Sequence, residues 1–175
     1  MPAGGSAAAA AVAMAAGLVE KCARLSARHW IGAAAVGKRS AVVRKLATLL
    51  VDADVAAYTE YMKAKGSAER ERIIEIPLSI VRSADEVVGL ATQLVEHGNP
   101  RLRSDAYAAV QLAAAAARSA SVTLADNVLA ATDTRLVEAR ALAKSANARA
   151  RSLRAPTRAG GRGRGRARSR GTARS

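Results

Sequence analysis

Two aspartates stand two positions apart in the segment VDADVAAYTEYMKA, residues 51–64. A carboxylate held in place can take a proton and return it to a leaving group, with no metal needed. Residues two apart on a helix face different ways, so Asp52 and Asp54 cannot both serve one site. The plain alternative for either is a solvated helix residue. Gly4, Gly5 and Ser6 are small residues that can present backbone N–H groups at a helix start, a place suited to an anion or a polar ring edge. Their plain reading is an ordinary N-cap, with Ser6 as the capping residue, near a fraying chain end. Arg103 can make a two-pronged contact with a carboxylate, and Asp105 can accept hydrogen bonds from a ring amine. Against that, Ser104 or Asp105 can simply cap a helix beside a solvated arginine. Asn127 lies in an apolar stretch, where an amide bonds either a neighbouring helix or a ligand.

Helices must position these groups. Alanine supplies most of a 50% hydrophobic composition, with 2% aromatic residues and no Phe. Alanine is the best helix former and lets helices approach closely, whereas residues favoured in strands are scarce. The expectation is an all-α, up-and-down bundle of Ala-rich helices that self-associates. Ser6 opens a first helix, apolar almost all round until Glu20, that ends near Leu25 or Arg28. Gly32 and Gly37 bracket a connection to a second helix over 38–64, where Val42, Val43, Leu46, Leu49, Leu50 and Ala53 recur at helical spacing. Residues 67–76 read as a short charged helical piece, and Pro77 as the first turn of the next helix, to Glu96. His97-Gly98-Asn99-Pro100 is a stop and turn. A long helix then runs to about Thr132, and a last one over 133–153.

Charge is unevenly spread along the chain. The formal net charge is +14, yet residues 154–175 hold arginines 154, 158, 162, 164, 166, 168, 170 and 174 and no acid. About +6 remains without them. Two units follow: a helical domain over 1–153 and an Arg/Gly-rich basic tail over 154–175, expected to be disordered because it has too little apolar surface to order itself. The tail suits nonspecific contact with nucleic acid or another polyanion, lost with rising salt. It has no aromatic side chain to stack a base. Cys22 is the only cysteine, so no intramolecular disulfide forms, and one Cys with His29 and His97 does not make a structural zinc site. The uncharged run 7–19 is short for a membrane span, lacks the basic flank of a secretory signal, and reads as a buried helix. No membrane partner is expected, and the cytoplasm is the expected location.

Four segments in order resemble the formiminotetrahydrofolate cyclodeaminase and methenyltetrahydrofolate cyclohydrolase family. PAGGSAAAAAVAMAAGLVEKCARLS, residues 2–26, is similar to the family's glycine turn and alanine-rich helix. VDADVAAYTEYMKA is like its acidic helix. The segment 76–116 has its Pro-Leu start and its Gly-Asn…Arg-Ser-Asp connection, and Asn127 matches its second Asn on the long helix. The resemblance spans residues 2 to about 150. It departs from the family at Ala3, where a glycine is usual, at Thr123 in place of the first Asn, and in lacking a helix before the turn.

The resemblance implies a homodimer or higher homo-oligomer acting on a tetrahydrofolate derivative, with no covalently bound cofactor. It places Asp54 in the acid/base role, Gly4, Gly5 and Ser6 at the pterin, and Arg103, Asp105 and Asn127 as further substrate contacts. A cyclohydrolase adds water to the methenyl carbon between N5 and N10. A cyclodeaminase closes the same ring from a formimino group and releases ammonia. Both pass through a tetrahedral carbon and move a proton to a leaving nitrogen. A chain without a transferase half tilts the expectation slightly to the hydrolase. Two other readings stand beside it: a helical scaffold that has lost activity, and a helical domain that binds nucleic acid through its tail.

Overall fold

The computed structural model describes residues 4–153. Five α-helices follow one another: α1 Gly4–Ser26, α2 Ala33–Ala64, α3 Ser67–His97, α4 Arg103–Asn127 and α5 Thr134–Ser152, with a 3₁₀ turn at Pro100–Leu102 before α4. There is no strand among the described residues. Cross-links show the helices alternating up and down. Ser40 Oγ on α2 donates to the Ala16 carbonyl on α1 at 2.9 Å, and Arg39 on α2 pairs with Glu86 on α3. On α4, Gln111 donates to the Ala150 carbonyl of α5 at 2.9 Å.

Small side chains make this close packing possible. Ala9, Ala15, Ala16, Ala91, Ala109, Ala113 and Ala117 are wholly buried, and Val12, Val87, Val88, Val110 and Leu124 fill the space between them. The α1 helix packs on α2, α3 and α4, which is why its sequence is apolar on nearly every side. The alanine-rich stretches 7–19 and 106–117 are largely consumed inside one chain. The exposed apolar row falls instead on α2, at Val42, Leu46 and Leu49.

Five boundaries differ from the sequence expectation. The α1 helix starts at Gly4, so Ser6 lies inside it and does not cap it. The α2 helix begins at Ala33 and takes in Gly37. Residues 67–76 are not a separate piece, because α3 runs unbroken through Pro77. The α4 helix begins at Arg103 with no side-chain cap and ends at Asn127, short of Thr132. Neither Ser104 nor Asp105 caps it, because Asn99 already turns the chain by accepting the Arg101 N–H at 3.0 Å, and the 3₁₀ turn leads straight into the helix. The loop after Asn127 ends at Asp133, which caps α5 by accepting the Arg135 N–H at 2.9 Å. Arg135 holds the Asp133 carboxyl down at about 2.

The basic tail 154–175 lies outside the described residues. Two stretches, Gly4–Ser26 and Pro100–Asn127, are long and apolar enough to cross a membrane by composition, but half of each is buried in this bundle.

Candidate active site

Four helices bring their ends to one cavity of about 570 Å³. It is lined by Gly4 of α1, Asp54 and Tyr58 of α2, Ile73 of α3, and Thr123, Asp126 and Asn127 of α4. Among the described residues, no basic side chain lines it.

Asp54 is buried, with 8% of its surface exposed, whereas Asp52 faces solvent as the two-residue spacing requires. The Asp54 carboxylate accepts hydrogen bonds from both the backbone N–H and the hydroxyl of Ser6. It therefore occupies the N-terminus of α1, where the helix dipole and free N–H groups favour an anion. That explains why α1 can start two residues ahead of its only local capping side chain: the cap comes from another helix. Within the glycine turn, the Ser6 N–H and hydroxyl are turned toward Asp54, Gly5 lies against the same carboxylate, and Gly4 alone of the three lines the cavity.

Gly5 has to be glycine for a packing reason. A Cβ there would lie 2.6 Å from Asp54 Cγ, closer than real Cβ contacts come. At Gly4 a Cβ would sit 3.3 Å from Thr123 Oγ1, a tight but lesser contact. Burial pushes the Asp54 carboxyl above the ordinary aspartate value, and the two bonds from Ser6 pull against that shift without cancelling it. A carboxyl so placed is more basic than a surface aspartate and still opens onto a cavity, as an acid/base group needs.

Asn127 reaches the site through a proline. Pro77 lacks an N–H, so the Ile73 carbonyl four residues earlier loses its helical partner. Asn127 Nδ2 on α4 donates to that carbonyl at 2.6 Å, which lets a buried proline sit inside α3. The amide thus serves a neighbouring helix, and its oxygen has no hydrogen-bond partner among the described residues. This pairing can be measured. Asn127→Ala is expected to destabilise the fold by about 1–3 kcal/mol, the cost of a stranded carbonyl. Pro77→Ala supplies the missing N–H, so in that background Asn127→Ala is expected to cost about 1 kcal/mol less. Additive losses in urea denaturation would rule the pairing out.

Arg103 and Asp105 do not join this cavity. They start α4, and Asn127 ends it, about 36 Å away at the helical rise. Asp105 is held by Lys21 of α1 at 2.7 Å, and Arg103 is exposed. In an antiparallel pair of helices, the start of one lies beside the end of its neighbour; these residues meet the end of α1, and Asp54 meets its start. Within one chain their expected contact with the same ligand is not formed. Tyr58, Thr123 and Asp126 line the cavity, although none was named as a site residue from sequence. The spacing Asp54–Tyr58, one helical turn, was a usable signal for the first. Asp126 and Thr123 need the register of α4 against α1.

A model of the formiminotransferase-cyclodeaminase family matches residues 1–146. The chain belongs to that family. Its fold is similar to the crystal structure of formiminotetrahydrofolate cyclodeaminase from Thermotoga maritima, with a TM-score of 0.76 and 21% sequence identity over 86% of each chain. No curated protein matches it significantly in sequence. Membership of the formiminotransferase-cyclodeaminase family agrees with the four-segment resemblance, and the match to its model includes Gly4, Gly5, Ser6, Asp54, Arg103, Asp105 and Asn127.

Proposed function

We propose that the chain is an enzyme of one-carbon tetrahydrofolate chemistry that opens or closes the N5–N10 methenyl ring, with Asp54 as general acid and base. One observation carries the reading: in a member of this family, a buried carboxylate is oriented by Ser6 and opens onto a cavity with no basic side chain among the described residues. A methenyl bridge between two nitrogens carries positive charge, and so does a protonated formimino group. Both suit a cavity lined by Asp54 and Asp126.

In the hydrolytic direction Asp54 takes a proton from the water that attacks the methenyl carbon. It returns that proton to the ring nitrogen as the carbon–nitrogen bond breaks, and the remaining hydroxyl proton is lost to solvent as the formyl carbonyl forms. In the deaminating direction it takes the N10 proton during ring closure and delivers one to the departing ammonia. Tyr58 and the free Asn127 oxygen offer further hydrogen bonds to the substrate's ring edges. Arg103 and Asp105 take no part within a single chain; a second copy would have to bring them.

Absorbance assays of purified protein with methenyltetrahydrofolate and, separately, formiminotetrahydrofolate test the reading and tell the two reactions apart. Turnover of either supports it. Binding without turnover of either supports an inactive scaffold instead.

We extend the proposal to a homodimer or larger homo-oligomer, supported by the row Val42, Leu46 and Leu49 on α2, exposed to 55%, 45% and 71%. Sedimentation velocity at micromolar concentration is expected to show a dimer or larger species, and Leu46→Glu with Leu49→Glu is expected to give monomer. A clean wild-type monomer would count against it.

A further inference from the structure

The opposite half of the α1–α2 pair opens a second cavity of about 560 Å³. Its floor is small, with Ala23, Ala33 and Gly37, and its rim carries Lys21, Arg24, Lys38 and Arg44 against Glu20, the one acid lining it among the described residues. Two of the four cations are engaged: Arg44 pairs with Glu20 at 2.5 Å, and Lys21 with Asp105. Arg24 and Lys38 have no acidic partner among the described residues and are exposed. The start of α2 lines the same cavity through Ala33 and Ala34. Its N-cap, Gly32, provides no side-chain bond, and its first turn holds no acid. The Ala33 N–H reaches the Trp30 carbonyl at 3.2 Å, but the Ala34 N–H has no backbone acceptor among the described residues.

We propose that this cavity is a binding site for a multiply charged oxyanion, a small molecule bearing two or more phosphate or carboxylate groups. The start of a long helix supplies donors and a positive dipole end, Arg24 a forked guanidinium and Lys38 a point charge. The opening is much larger than a single phosphate, and its cations are spread around the rim, so one charged group would leave most of them unused. The site is separate from the acid/base cavity: Lys38 and Asp54 lie about 24 Å apart along α2. The two ends of the same helix pair thus differ in sign, carboxylates at one and free cations at the other. Occupancy here does not depend on the reaction proposed at Asp54.

Calorimetric titration of the full chain with pyrophosphate, and in parallel with citrate at matched ionic strength, tests the site. At least one probe is expected to saturate at one site per chain, and the tighter of the two tells phosphate from carboxylate chemistry. Arg24→Gln with Lys38→Gln is expected to weaken that binding about 10-fold or more. Ala34→Glu places a carboxylate at the exposed start of α2, where it favours the helix but fills the site with its own negative charge, and it is expected to do the same. Circular dichroism should be unchanged in both variants; if the double variant loses helicity, Ala34→Glu alone decides. The arginines of residues 154–175 are present in every protein compared, so binding by them is constant. Equal affinity in wild type and Ala34→Glu, or no saturable binding of either probe, would overturn the proposal.

Discussion

Asp54→Asn is expected to lower turnover of the folate substrate about 100- to 10,000-fold while leaving size, helicity and substrate binding in place. The amide has the shape of the carboxylate, and its oxygen can still accept from Ser6, so the start of α1 keeps its cap. What it cannot do is accept a proton at neutral pH. Asp52→Asn is the internal control, because Asp52 faces solvent on another side of α2. Its loss removes one surface charge and little else. Similar activities in the two variants would sink the assignment of Asp54.

The same carboxyl sets a pH dependence. Its value in the folded protein is raised above the ordinary 3.8 by burial. The ionised form is the base, so wild-type kcat/KM is expected to rise with pH through an inflection above 3.8. The stability effect has the opposite sign. The folded state holds the proton more tightly than the unfolded chain, so stability falls as pH rises between 3.8 and the folded value, then levels off. Asp54→Asn should remove that step, visible as a flatter curve of Tm against pH across the window.

Gly5→Ala is expected to reduce activity about 100-fold and to destabilise the protein by about 1–3 kcal/mol. Helix propensity alone predicts the reverse, because alanine in a helix is favoured over glycine by about 1 kcal/mol. The sign of the change therefore reports the contact. A methyl group at position 5 would meet the Asp54 carboxyl group, and either the carboxylate or the start of α1 must move. Both moves break the bonds from Ser6. Gly17→Ala provides the comparison in the same helix: its Cβ would lie an ordinary 3.7 Å from Arg44 Cδ. It is expected to be neutral or slightly stabilising with full activity. Thermal melts and turnover of the two alanine variants, measured side by side, check both halves. A Gly5→Ala protein as stable and active as Gly17→Ala would show that the close approach has no part in the site.

Sequence by itself determined the class of this protein and the order of its helices. Alanine content, the run 7–19, the break between residues 64 and 67 and the stop at His97-Gly98-Asn99-Pro100 are local signals, and local signals set where helices form. The two-residue offset of Asp52 and Asp54 is local too, so it was legible in advance that they face different sides of α2, but not that Asp54 is buried. Family membership was legible because four segments kept their order. Only the tertiary structure decided which groups meet. Ser6 looks like a cap until α2 brings Asp54 to the start of α1. Pro77 looks like a helix start until Asn127, fifty residues on, bonds the carbonyl it strands. Arg103 and Asp105 look like partners of Asp54 until antiparallel packing sends them to the far end of α1. The physical reason is common to all three. A helix obeys a short-range period, but a cap, a rescued carbonyl or a shared cavity joins residues from different helices, and their meeting depends on the direction and register in which those helices pack.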